Sequence, residues 1–399
     1  MLDGLAIALG RSLRFLLRIV RPGGGSALPG VLVSKLSPGL LSRSIGSLPK
    51  GLIVVSGSAG KSSTTQSLVR ILEGHGLRVF SNPSTANIRQ GYFSAMLTQG
   101  NWRGRLDFDL AVLEVDEGHG ALLVQELNPR LAVLTNVLSD QLDRFVDPDL
   151  VIEKLERIGL AADIVVYNAD DPNLRSLKFP NSHAISLQQT LPGEPRPSYA
   201  LRFDEVPEVN SVASVAVANG YTVNFAGQEL ASAATSAPHA INDALALVAA
   251  SLILDLDHEI VAAVLSDNKR VFARNEVATI QGRQVNLRLV QNPTSFQLNL
   301  DEISGTEKPL MLMAGSDIHD PSWLWTVDFS KLTHVDIVGG FNAYDLALRL
   351  SYEGVSVGEV EANPATAADK FLQLDGESAT ILFSADAMRR VRRHLGLAK

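Results

Sequence analysis

The run Gly57-Ser58-Ala59-Gly60-Lys61-Ser62-Ser63 has the residue types and spacing needed to hold phosphate. Glycines let backbone amides approach an anion, and a helix N-terminus favours negative charge. A lysine then reaches the outer phosphates of a nucleotide, and a serine hydroxyl ligates Mg²⁺. A full G-x-x-x-x-G-K-[ST] loop needs glycine at position 55, where Val55 stands, so this is a shortened variant. Its bland reading is a glycine turn with a solvated lysine. Acids follow at Leu113-Glu114-Val115-Asp116-Glu117, with Glu114 closing an apolar run. Open α/β sheets place their ligand crevice at the C-terminal ends of strands, which makes Glu114 a candidate Mg²⁺ ligand. Carboxylates at strand ends are also ordinary solvated residues. Thr135-Asn136 and then Asp140-Gln141-Leu142-Asp143-Arg144 follow the next apolar run in the same way.

Those residues need strands to position them, and the pattern supplies one before each. Residues 51–56 (GLIVVS) are short, apolar and β-branched, and 62–76 show helical periodicity through Leu68, Ile71 and Leu72. Further apolar runs at 109–113, 131–135 and 164–167, separated by helical or turn-rich sequence, predict a parallel α/β sheet. From about 195 to 232, short alternating stretches with turn signals at Asn219-Gly220 and Ala226-Gly227 predict a small β insert. Helix resumes over 239–254. New strands at 286–290, 309–313, 334–338 and 380–383 alternate with helical stretches. The expected organisation is a leader of helix and loop over 1–50, its loop being the glycine- and proline-rich 21–30. A central phosphate-loop α/β domain over 51–275 and a second, C-terminal α/β domain over 276–399 follow. No internal repeat of 20 to 50 residues is evident.

Composition narrows the classes. At 399 residues, two or three domains are expected. A chain that is 46% hydrophobic and 20% charged packs large cores, and a net charge of −8 argues against a nucleic-acid footprint. There are no cysteines, which excludes disulfides, thiolate zinc sites and a cysteine nucleophile within the chain; zinc is not expected. Residues 1–20 mix Leu, Ile and Phe with Arg11, Arg14 and Arg18, so they form neither a spanning helix nor a signal peptide, and the cytoplasm is the default location. Such a basic amphipathic helix suits an anionic membrane face; packing against its own core is the alternative.

The segments GSAGKSSTT (57–65), SNPSTANIRQG (81–91), LEVDE (113–117), TNVLSDQLDRF (135–145), NADDP (168–172), FARNE (272–276), NPTSFQ (292–297) and DPSWLWTVDF (320–329) occur in the order in which the MurT family carries them. The chain therefore resembles that family, within the Mur ligase superfamily, over nearly its whole length. The resemblance implies ATP bound by Gly57, Ser58, Gly60, Lys61, Ser62 and Ser63, with Lys61 on the β and γ phosphates. It implies Mg²⁺ held by Ser62 and Glu114, Asn136 lining the phosphate site, Asn242 in HAINDALA at the adenine and Arg274 in FARNE on ATP. From residue type alone, Asn242 equally reads as a helix cap and Arg274 as a surface ion pair. In SDIHDPSW, one aspartate is the residue the family lends to the Cys-His pair of a glutaminase partner, GatD, where a carboxylate holds the imidazole tautomer. Asp320 is favoured over Asp317, its bland reading being a cap or turn ahead of Pro321. His319 reads as an exposed bystander.

The implied function is ATP- and Mg²⁺-dependent amidation of the D-glutamate α-carboxylate of lipid II to D-isoglutamine. It runs through an acyl phosphate and ammonia from the GatD-like subunit of a heterodimer, in the cytoplasm and at the inner membrane face. The rival readings are a self-sufficient Mur- or folyl-type amino-acid ligase and a non-catalytic nucleotide-binding scaffold. The chain departs from the family at Ala59, Ser139, Gln291 and Thr326, and lacks the four cysteines that hold zinc in many relatives.

Overall fold

The computed structural model describes residues 2–20, 28–83, 87–137, 148–187, 213–217, 221–233, 240–266, 276–318, 321–376 and 378–397. The chain divides into two compact units, one of Met1–Leu138 with Asp147–Asn268, the other of Ser139–Val146 with Lys269–Lys399.

In the first unit one sheet contains β1 (Leu52–Ser56), β2 (Val79–Ser81), β3 (Leu110–Glu114), β4 (Leu131–Leu134) and β5 (Ile164–Asn168). It continues through β6 (Ser182–Leu187), β7 (Ala213–Val217), β8 (Tyr221–Phe225) and β9 (Gln228–Ala233). The order is β2-β3-β1-β4-β5-β6-β7-β8-β9, with every pair parallel up to β6–β7. β1, β3 and β4 are buried along their whole length, which is why they read as unbroken Leu, Ile, Val and Ala rather than as alternation. The expected β insert is not a separate layer. Its strands β7, β8 and β9 extend the same sheet, turning antiparallel through a two-residue hairpin at Ala226-Gly227, both with positive φ. The Asn219-Gly220 signal lies outside the described residues. Helix Ala240–Ser251 packs against helix Lys61–Gly74 and the sheet. It is apolar on almost every face, and each residue from Ala244 to Ala250 is buried.

The leader holds helices Leu2–Val20, Leu28–Leu36 and Leu40–Ile45. The glycine- and proline-rich stretch read as loop to residue 30 is already helical at Leu28. Pro29 sits in the first turn, where its missing N–H would have had no partner. Gly30 then lets this helix cross helix Arg89–Gln99 closely: a Cβ there would lie 2.1 Å from the Gln90 carbonyl oxygen.

The second unit is a mixed sheet of β10 (Glu276–Ile280), β11 (Arg283–Leu289), β12 (Leu310–Met313), β13 (His334–Gly339), β14 (Ser356–Glu361) and β15 (Ser378–Phe383). Its order is β10-β11-β15-β12-β13-β14, parallel except for the β10–β11 hairpin. Two apolar layers cover it. One is centred on Phe296 and Phe329, whose rings meet edge to face at 5.3 Å; the other holds Phe371 and Phe383. Helix Pro293–Glu302 starts from Asn292 through a capping box: Ser295 N donates to Asn292 Oδ1 at 2.8 Å, and Asn292 N donates to Ser295 Oγ at 3.0 Å. Replacing this cap by alanine (Asn292→Ala) is expected to cost the protein about 1 kcal/mol. Urea unfolding measures it, and an unchanged midpoint would show that the cap is dispensable.

Candidate active site

In the first unit β1 is flanked by β3 on one side and β4 on the other, so the chain reverses its direction of sheet growth there. The loop leaving the C-terminal end of β1 therefore opens at a topological switch point, the usual ligand crevice of an open α/β sheet. Gly57 has φ of 128°, and a Cβ on it would meet Thr135 Oγ1 at 2.3 Å and the Asn136 backbone at 2.9 Å. Gly60, with φ of 83°, caps helix Lys61–Gly74 without any side-chain bond, and its missing Cβ leaves room for Asn242 Oδ1. The first N–H groups of a helix have no partner within it, and this first turn carries no acidic residue. The result is a positive helix terminus suited to an anion.

The loop is braced from the next strand. Ser58 N donates to the Asn136 carbonyl at 2.9 Å, Ala59 N donates to Asn136 Oδ1 at 2.8 Å, and Asn136 Nδ2 donates back to the Ala59 carbonyl at 3.1 Å. Thr135 Oγ1 donates to the same carbonyl at 2.6 Å. Asn136 thus binds the loop's own main chain. Asn242, buried near the start of its helix, accepts from Thr64 Oγ1 at 3.3 Å and lies against Gly60. The structure therefore brings it to the phosphate loop. Ser62 and Ser63 sit half-buried in the first helical turn.

Lys61 curls over the loop. Its Nζ donates to the Gly57 carbonyl, to the Ser58 carbonyl at 3.2 Å and to Glu117 Oε1 at 2.7 Å. The pair is nearly buried, so the carboxylate supplies the counter-charge that a desolvated ammonium needs. Glu117 is a site residue that the strand-end argument passed over in favour of Glu114. Its signal was its place in the first turn of helix Glu117–Leu127, just after the strand. Glu114 itself is buried at the end of β3. Its backbone is fixed by Asn82, whose side chain bonds both Glu114 N and O, and by the Tyr92 hydroxyl, which donates to the same carbonyl at 3.0 Å. Burial, and then the charges of Glu114 and Asp116, hold the Tyr92 phenol protonated well above its ordinary range.

No group of three or more His, Cys, Asp or Glu side chains able to hold a metal occurs among the described residues. The Ser62 hydroxyl and the Glu114 carboxylate are oxygen donors of the type that Mg²⁺ takes alongside phosphate oxygens and water.

Two family models match the chain: the Mur ligase middle domain over residues 55–190, and the MurT ligase C-terminal domain over 289–388. The MurT subunit of lipid II isoglutaminyl synthase (glutamine-hydrolyzing) from Streptococcus pneumoniae is 26% identical, over 88% of this chain and 87% of its own. The MurT subunit from Staphylococcus aureus strain COL is also 26% identical, over 84% of each chain. Along most of its length the chain resembles MurT subunits, and residues 289–388 match the MurT ligase C-terminal domain. The fold agrees: a MurF ligase from Thermotoga maritima in complex with ADP superposes with a TM-score of 0.66 at 18% identity, over 94% of this chain and 84% of that one. A pseudomurein peptide ligase type C from Methanothermus fervidus gives 0.68 at 18% identity, over 89% and 79%. The likeness to MurT subunits, on a Mur ligase fold, identifies the chain as an ATP-dependent ligase.

The MurT C-terminal segment places Asp317 just after β12. Its Oδ1 accepts from Ser384 Oγ at 2.6 Å, and Ser384 Oγ also accepts from Gly315 N at 2.8 Å. Asp317 is thereby engaged within its own unit. Asp320 and His319, like Arg274 and Asp140 to Arg144, lie outside the described residues.

Two predictions follow from the geometry around the loop. Gly57→Ala should destabilise the first unit by roughly 2 kcal/mol or more, because positive φ and a backbone clash coincide; wild-type stability and nucleotide affinity in that variant would refute it. The second concerns Asp171, buried where it accepts from Val137 N at 2.8 Å and caps helix Pro172–Arg175. Burial pushes its carboxyl up to about 6. The folded chain therefore holds a proton that the unfolded chain releases near pH 4. This contribution is full below pH 4 and is lost as pH rises through about 6. Between pH 4 and 7 the wild type should lose roughly 2–3 kcal/mol more than Asp171→Asn. Parallel urea-stability profiles would contradict this.

Proposed function

We propose that this chain is the ATP-consuming subunit of an amidotransferase that converts the D-glutamate α-carboxylate of lipid II to the carboxamide of D-isoglutamine. A GatD-like glutaminase partner supplies the ammonia. The observation that carries the reading is a braced glycine loop and a partly sheltered lysine at the switch point of a chain that resembles MurT subunits. The absence of cysteine supports it further, since glutamine hydrolysis by a thiolate must then come from another chain.

The reaction proceeds in two steps. A substrate carboxylate oxygen attacks the γ-phosphorus of ATP, forming an acyl phosphate and expelling ADP. Ammonia attacks the acyl carbon, inorganic phosphate leaves with the C–O bond pair, and one proton passes to solvent or phosphate. This chain's part is positioning and charge neutralisation. The first amides of helix Lys61–Gly74 are turned to the phosphates, and the Lys61 ammonium exchanges the loop carbonyls for β and γ oxygens. Asn136 keeps the loop open by bonding both main-chain groups of Ala59. Ser62 and Glu114 would hold Mg²⁺, which would supply charge withdrawal from the transferring phosphoryl group. Asn242 and Arg274 contact the nucleotide, and Asp320 is lent to the partner's Cys-His pair.

With its glutaminase partner, ATP, Mg²⁺, glutamine and lipid II, the chain should release ADP and give the carboxamide by mass spectrometry. Lys61→Ala should lower the rate at least about 100-fold. Ammonium salts should replace glutamine and partner together. ADP release driven by a free amino acid without the partner would instead reveal a self-sufficient ligase, and nucleotide bound without turnover by the full complex a scaffold.

A further inference from the structure

Helix Leu2–Val20 is held to the first unit by one face only. Ala6 and Ile7 are buried there, and a Cβ on Gly10 would lie 2.5 Å from Val33 and 2.9 Å from Leu97. Arg11 Nε donates to the Leu97 carbonyl at 3.0 Å, and Arg14 bonds Thr98. The opposite face carries Leu2, Leu5, Leu9, Phe15, Leu16 and Ile19, each 45–73% exposed. Their spacing keeps them in one stripe along a helix about 28 Å long. The helix thus packs on its own unit, one of the two alternatives raised by the sequence, and still shows an apolar face.

We propose that this stripe rests in the surface of an anionic lipid bilayer. Three observations select lipid over protein. The stripe is aliphatic apart from one Phe, whereas protein hot spots favour Trp, Tyr and Arg and disfavour Leu. The second unit shows that other kind of face, where Trp325, Tyr344 and Tyr352 stand exposed, with the Arg349 guanidinium 5.5 Å from the Trp325 ring. Second, charge is segregated. Of residues 1–50, seven are Lys or Arg and one, Asp3, is acidic, in a chain whose net charge is −8. A basic segment on an otherwise acidic protein is drawn to anionic headgroups and orients the molecule towards them. Third, Trp102, 66% exposed, has its carbonyl 3.9 Å from the Cβ position of Gly4, and the Arg103 guanidinium lies 4.6 Å from its ring. An amphipathic aromatic beside a cation is the side-chain pair that settles at headgroup depth. No helix of the described residues is long and apolar enough to cross a membrane, so the contact is peripheral.

The test uses the full chain and vesicles free of substrate and nucleotide, so its failure and a failure of the amidation reading are separate results. The chain should float with phosphatidylglycerol–phosphatidylcholine vesicles, less so in high salt, and not with phosphatidylcholine alone. Leu9→Glu/Leu16→Glu, both on the exposed face, should reduce binding at least about ten-fold while keeping the circular dichroism of the wild type. In Leu16→Trp, tryptophan emission should shift to the blue on adding the anionic vesicles. No flotation with anionic vesicles, equal binding by the double variant, or an unmoved spectrum would overturn the proposal. So would dimers that the double variant dissociates in the absence of any vesicle binding.

Discussion

The site depends on a single packing constraint: the end of β1 and the end of β4 approach so closely that a side chain at position 57 has no room. Gly57 is pressed against Thr135 and Asn136, and the Asn136 side chain then closes two hydrogen bonds on Ala59. A loop of this length, left to itself, would sample many shapes at a cost of about 1–2 kcal/mol per residue ordered. Here the neighbouring strand fixes it before any ligand arrives. The helix terminus, the lysine and the serine hydroxyl inherit their positions from that contact.

The same geometry accounts for one of the chain's departures from the MurT pattern. Ala59 loses an asparagine side chain, but what position 59 contributes to the loop is its backbone N–H and carbonyl, both held by Asn136. Two others also keep local structural work. Gln291 donates its backbone N–H to Ser295 Oγ at 2.8 Å, beside the capping box, and Thr326 Oγ1 donates to the Trp323 carbonyl at 2.8 Å as the 3-10 turn Pro321–Thr326 closes.

The sequence was most informative where local pattern and chemistry coincide. Strand, glycine, lysine and helix at 51–76 follow from residue types a few positions apart, and the strands at 110–114, 131–134 and 164–168 announce themselves as unbroken apolar runs. It was least informative where an element is short, polar or defined by a distant partner. β2 has three residues, and β14 is an edge strand whose Glu359 and Glu361 both reach Lys370, a charged rim that hides its strand character. Pro29 and Gly30 looked like loop because their composition signals turns, yet one suits a first helical turn and the other a close helix crossing. The candidate site divides in the same way. Lys61 and Glu114 were visible from spacing, whereas the brace by Asn136, the counter-charge of Glu117 and the seat of Asn242 beside Gly60 exist only after folding.

That last contact bears on how the chain is made. The loop and its helix lie 178 residues before the side chain that packs on them, measured from Thr64 to Asn242, with the strands from β2 to β9 between. On a ribosome, β1 and the glycine loop emerge long before helix Ala240–Ser251 exists to cover them. Contacts of such sequence separation form late and slowly. The nascent chain therefore carries the recognisable nucleotide motif for most of the synthesis of the first unit while lacking the surface that completes it. The contact of Asn242 with Gly60 and Thr64 arrives only when the buried helix docks.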